Sequence, residues 1–264
     1  MEPAWTAIAF ESYLALGRNA GEPDWAIALS ECATSLMAQN AMSFLAELEN
    51  GQLLTKTGNL PRAFVTKMIS IIDWPGFDPQ TEFKYHKVIN EPDFLPLHAL
   101  RIFCDRAKLV RVQKGVLRLT KAGRALVKAN DTGCLNRKLF EAAFWHTHLA
   151  YFDGYPLAPW PQNNIGLALW CLSVVGHDWR TPSDLVRLCT IPISGVLEAE
   201  EDLSGRLFAA RILRPLAWFG LLKVEMKVDE QHVFLRNYRY RKSEAFDGFI
   251  TFDVILDHGD HPIQ

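Results

Sequence analysis

The sequence carries no Cys-x-x-Cys pair, no glycine-rich phosphate loop and no Gly-x-Ser-x-Gly elbow. Its five cysteines, Cys32, Cys104, Cys134, Cys171 and Cys189, are odd in number and widely spaced. That argues against a zinc ribbon or a thioredoxin-type redox pair, and fits a reducing cytoplasm in which free cysteine behaves as a small hydrophobe. The most apolar run, residues 165–176, is too short to span a bilayer and reads as a buried helix. Residues 1–5 lack the positive n-region of a signal peptide, so a cytoplasmic protein without a membrane partner is expected. Net positive charge is lacking as well. At −2 overall, the molecule as a whole is no polycation built to coat nucleic acid.

What charge there is lies unevenly. Residues 1–50 hold seven acidic side chains against the single basic Arg18. From Arg101 to Lys128 there are nine basic residues and one acid, Asp105. An acidic side and a basic surface follow from that asymmetry. The basic stretch also has the clearest local pattern. Residues 94–107 place apolar side chains on a broad helical face, and residues 108–119 alternate around Lys114-Gly115 as a hairpin does. Thr120 is placed to cap a return helix over 121–128.

Along the chain, helices are expected over Trp5–Leu16 and over Trp25–Glu49, the second with a break near Thr34-Ser35. Gln52–Lys56 reads as a short strand, and Asn59 as the cap of a helix running from Pro61 to Ile72. Residues 73–93, rich in Pro, Gly and aromatics, read as an ordered insertion. A helix over Asn136–Tyr151 leads to a stiff turn region, Asp153–Pro161, the best boundary in the chain. Beyond it the order of signals recurs: a helix over 163–175, a short strand near 177–180, helices from Thr181 and over Leu203–Phe219, and a longer hairpin over 221–240. A closing strand over Phe249–Leu256 completes it.

The fold class expected is therefore mainly α with small β-hairpins, an α+β protein of two winged helix-turn-helix-like modules packed with additional helices. The first domain is 1–152, with the N-terminal helices and the first module; the second is 153–264, with the longer hairpin.

Thr55–Pro61 followed by Lys108–Arg124 resembles the C-terminal region of a Ri-plasmid-type bacterial open-reading-frame family whose function is not established. The likeness covers mainly residues 40–150, and the β-rich N-terminal domain often found in that family has no counterpart here. It implies a bacterial or mobile-element origin and supplies no catalytic residues. The wing pattern is also similar to that of many winged-helix regulators.

Candidate chemistry is sparse. His146 and His148 diverge at i, i+2 helical spacing, unlike a metal-binding i, i+4 pair. Asp257–His261 groups potential ligands at the C-terminus, and Glu198–Asp202 has four carboxylates in five residues, best read as a solvated loop or helix start. No enzyme activity, metal or cofactor is expected. The nucleic-acid-binding candidates are Arg101, Arg106, Lys108, Arg111, Lys114, Arg118, Lys121 and Arg124, on the third helix, the wing and the following turn. The third helix leaves few positions for side chains that read bases. In the second hairpin, Arg236, Arg239, Arg241 and Lys242 lie near Tyr238 and Tyr240, a basic-aromatic alternation that fits a stacking platform for single strands or, equally, cross-strand aromatic pairing. The partner expected is double-stranded DNA; the alternative is an interaction scaffold binding a protein or a second copy.

Overall fold

A computed structural model describes residues 3–17, 26–31, 35–75, 77–78, 88–155, 159–191, 203–228 and 236–257. Among these the chain is mainly helical, with three small antiparallel sheets, an α+β protein. It forms two compact units, one of Ser30–Thr147 and one of Met1–Leu29 with His148–Gln264.

The opening segment explains why this division differs from the linear one at residue 152. After a 3-10 turn at Ala4–Ala7 and helix α1 (Phe10–Gly17), Ile27–Leu29 forms a strand, β1, where a helix was expected. β1 pairs antiparallel with the strand Ile250–Phe252, matching Ile27 to Phe252 and Leu29 to Ile250. That partner lies over 200 residues away, so tertiary pairing overrides the local helical pattern.

In the unit Ser30–Thr147, the Ser35 hydroxyl accepts from the Ala38 amide and starts α2 (Leu36–Glu47). Gly51, at φ 77°, turns the chain into β2 (Gln52–Leu53). Helix α3 (Arg62–Ile69) begins after Pro61, not at Asn59. Asn59 closes a turn instead: its amide donates to the Thr55 hydroxyl and its carbonyl accepts from the Thr55 amide. Of the insertion, Trp74 is buried and Phe77 packs on Phe94 at 4.7 Å between rings. Phe83 and Tyr85 lie outside the described residues. A 3-10 turn at Glu91–Asp93 leads into α4 (Leu95–Arg106), followed by β3 (Val110–Gln113) and β4 (Val116–Leu119). The Thr120 hydroxyl accepts from the Gly123 amide and caps α5 (Lys121–Ala129), as its sequence indicates. Asn130 is left-handed at φ 49°, and Asp131 caps α6 (Thr132–Glu141). The helix expected over Asn136–Tyr151 thus starts earlier and ends in a π-helical turn, Ala142–His146. The sheet order is β2-β4-β3, all antiparallel.

In the other unit, α7 (Ile165–Val175) is followed by Arg180, which bridges to Tyr240 in place of a strand. Thr181 and Asp184 form a reciprocal cap on α8 (Pro182–Cys189). The helix expected over Leu203–Phe219 is broken into α9 (Leu203–Phe208), a π-helical turn over Ala209–Leu213, and α10 (Arg214–Trp218). The hairpin of β5 (Leu222–Val228) and β6 (Arg236–Lys242), then α11 (Glu244–Phe249) and β7 (Ile250–Phe252), complete the unit. One connectivity recurs in both units: helix, short extended piece, helix, helix, hairpin. The extended piece meets the second hairpin strand each time, β2 on β4 and Arg180 on β6.

The π-helical turn carries Arg211, which is fully buried. Its guanidinium donates to both Asp153 oxygens at 2.6 and 3.1 Å, to the Tyr155 carbonyl at 3.1 Å, and to the Trp160 carbonyl. The region expected as a domain boundary is thereby pinned into a core. Arg211→Met strands a carboxylate and two carbonyls, so urea denaturation should show a loss of about 3–5 kcal/mol. Adding Asp153→Asn should recover part of it; full stability in the single variant would overturn this role.

Candidate nucleic-acid interface

Within α4 only Asp105 and Arg106 are exposed. Two polar side chains of α4, His98 and Arg101, face a carboxylate in the same unit. Glu91 is 1% exposed; one of its oxygens accepts from the Leu60 amide at 2.6 Å and from Arg101 Nη1 at 2.6 Å, the other from His98 Nδ1 at 3.4 Å. The second Arg101 nitrogen donates to the Gly58 carbonyl at 2.8 Å. Arg101 is thus engaged inside its own unit: its guanidinium ties the segment before α3 to the 3-10 turn and α4. Burial pushes the Glu91 carboxyl up, but the hydrogen bonds from His98 and Leu60 and the charge and hydrogen bond of Arg101 outweigh it, holding the group below its ordinary value. Sequence reasoning missed Glu91, although Asn90 and Asp93 around it form a reciprocal cap with Pro92 between them, a visible helix-start signal.

The other candidates, Arg106, Lys108, Arg111, Lys114, Arg118, Lys121 and Arg124, are exposed, and none makes an ion pair among the described residues. Three local features bring most of them together. First, α4 ends in a Schellman turn: the Lys108 amide donates to Asp105 and the Leu109 amide to Cys104, with Lys108 at φ 57° where glycine is favoured. Second, Lys114 and Gly115 sit at φ 51° and 74°, a two-residue hairpin turn in which asparagine usually precedes the glycine. Third, Arg111 lies directly opposite Arg118 in the β3–β4 register, while their strand neighbours Val110, Leu117 and Leu119 are buried. Both arginines thus occupy the solvent face. A Cβ at Gly51 would come within 3.2 Å of Arg118 Cγ, so the absence of a side chain there leaves room for that arginine.

Helix α5 extends the basic surface. Lys121, Arg124 and Lys128 are exposed at i, i+3 and i+7, one helical face. The helix is held close to the hairpin by Thr120, whose hydroxyl donates to the Lys108 carbonyl at 2.8 Å, and by Gly123, whose Cβ would fall 2.2 Å from the Leu109 carbonyl oxygen.

In the second hairpin, Arg239, Arg241 and Lys242 are engaged within the unit. Arg239 donates to the Trp179 carbonyl at 2.8 Å, Arg241 lies 5.0 Å over the Trp179 ring, and Lys242 pairs with Asp247. Tyr240 is buried. Burial pushes up the thiols of Cys104, Cys171 and Cys189, Cys171 to about 12, which leaves them protonated at neutral pH. Among the described residues no group of three or more His, Cys, Asp or Glu side chains is arranged to hold a metal ion. Glu198–Asp202 and His258–His261 lie outside them. No helix among the described residues is long and apolar enough to cross a membrane.

Residues 33–146 match a family model described as the Y4jL N-terminal domain, a span that nearly coincides with the compact unit Ser30–Thr147. The "Uncharacterized protein y4jL" of Sinorhizobium fredii (strain NBRC 101917 / NGR234) is 37% identical over 79 residues, covering 30% of this chain and 36% of that protein. The chain thus spans little more than a third of the curated relative it matches. No solved structure matches the chain. These likenesses support an uncharacterised bacterial family, and the model concerned describes an N-terminal domain, where the sequence resemblance pointed to a C-terminal region.

A depressed carboxyl stabilises the fold above its ordinary value of 4.5, and that contribution is lost as pH falls through the lower, folded-state value. Glu91→Gln should therefore be less stable than the parent at pH 7, with the gap closing as the solution is taken into the acid range below about pH 4. Parallel stability curves for the two proteins over that range would exclude the role.

Proposed function

We propose that the unit Ser30–Thr147 is a winged-helix module that grips the phosphate backbone of duplex DNA with its hairpin and α5, without enzymatic activity. The observation that carries this reading is the facing pair Arg111 and Arg118, in register on the solvent face and without a carboxylate partner among the described residues. Like charges directly opposite each other destabilise a sheet. Lys108 and Lys114 add left-handed backbone, which costs a non-glycine residue about 1–2 kcal/mol. Such local costs gather where function needs a particular side chain. A phosphate between the arginines offsets their repulsion with charge-assisted hydrogen bonds.

The helix–strand–helix–helix–hairpin order, with β2 on the far side of β4 from β3, supports the winged-helix assignment. In such modules the third helix commonly enters the major groove. Here α4 exposes too little polar surface to read bases, so the contact proposed is to backbone and shape, without direct sequence readout. A DNA-binding regulator or a mobile-element accessory protein fits that behaviour. The burial of α4 also favours the second reading, an interaction scaffold in which the same fold binds protein.

Two variants test the proposal. Arg111→Ala with Lys114→Ala and Arg118→Ala should weaken binding to generic duplex DNA and lower the log–log salt slope by roughly 2–3 units. No duplex binding by the parent at low salt, or unchanged binding by the triple variant, would leave the scaffold reading in place. Lys108→Gly should move two properties in opposite directions. It should raise stability by up to about 1 kcal/mol by relieving the left-handed backbone, while lowering the salt slope by about one unit. A loss of stability would show that the lysine side chain is structural.

A further inference from the structure

The β5–β6 ribbon has one face that begins in the core and ends in solvent. Leu222 and Tyr240 are buried, whereas Val224, Met226 and Tyr238 on the same face are 44%, 50% and 36% exposed. A two-stranded ribbon is marginal in water without further packing, and an uncovered strand edge invites pairing.

The hydrogen-bond directions show which backbone groups are available. Tyr240 exchanges both of its backbone bonds with Arg180, at 2.8 and 3.0 Å, and the Lys242 amide donates to Gly176 at 2.7 Å. Those β6 residues point away from β5, so the alternate residues Arg239 and Arg241 serve the ladder with their register partners Glu225 and Lys223. By the same alternation, Val224 and Met226 direct their amides and carbonyls to the outer edge of β5. Among the described residues no backbone group meets them there.

We propose that this edge pairs antiparallel with β5 of a second copy about a two-fold axis at Val224, joining the two ribbons into one four-stranded sheet. Charge suits a second copy and narrows the register, although Lys223 also pairs with its own Glu244 and Glu225 lies beside its own Arg239. Centred on Val224, each Lys223 faces a Glu225, Val224 meets its own counterpart, and Leu222 faces Met226. Centred one residue further, on Glu225, the strand opposes Glu225 to itself and Lys223 to Lys227, pairs of like charge that repel. The exposed Val224 and Met226 gain apolar neighbours on the joined face. The axis uses the same patch on both copies, so the assembly closes at a dimer.

Sedimentation velocity of the full chain over a concentration series tests this. The parent should form a concentration-dependent dimer. Val224→Pro should be monomeric with unchanged far-UV circular dichroism, because it removes an amide that β6 does not use and proline is tolerated on an edge. Glu225→Lys should also be monomeric, since it sets lysine against lysine in the Val224 register. The double swap Lys223→Glu with Glu225→Lys should dimerise again. Centred on Met226 instead, the swapped strand would set its introduced lysine against Lys227, so a monomeric double swap would overturn the proposed register. A parent that stays monomeric at its highest soluble concentration, or a dimeric Val224→Pro, would overturn the interface.

Discussion

One buried carboxylate decides what the third helix of the Ser30–Thr147 unit can do. Glu91 collects the Leu60 amide, Arg101 and His98 around two oxygens. The segment before α3, the 3-10 turn and α4 are thus fixed by a single group that must stay ionised. Arg101 answers that charge within its own unit. The basic surface is displaced onto the hairpin and α5, where the side chains have no carboxylate to satisfy among the described residues. Removing one member of such a buried cluster leaves the others uncompensated, so the cluster acts as one device.

The second unit meets a similar demand with the opposite sign. Arg211, inside a π-helical turn, is satisfied by Asp153 and the carbonyls of Tyr155 and Trp160. The widened turn places a long side chain in the core at a point where an α-helix would continue its regular ladder. In both units a buried ion holds an irregular segment against a helix. Each ion fixes the geometry of its own unit.

Much of this was legible in the sequence wherever cause and effect lie within a few residues. Thr120 and Thr181 cap the helices they announce, and Lys114-Gly115 makes the turn its type requires. The hairpin register follows from the alternation of Val110, Leu117 and Leu119 with the arginines. What failed was largely decided by a distant partner, with the Asn59–Thr55 turn and the two π-helical turns as local exceptions. Ile27–Leu29 is a strand only because Ile250–Phe252 lies alongside it. Arg101 looked available because its carboxylate sits ten residues earlier, across a segment read merely as an aromatic insertion. The π-helical turns at Ala142–His146 and Ala209–Leu213 were read as continuous helix because their composition does not differ from it.

The pairing of β1 with β7 also imposes an order on synthesis. As the chain emerges, Ile27–Leu29 meets no partner until Ile250–Phe252 has been made. The Ser30–Thr147 unit contains all the strands of its own sheet within one continuous stretch and can close while the remainder is still being translated. A unit already folded between the two halves shortens the effective loop that β1 and β7 must close, because only its end-to-end span counts and not its full contour.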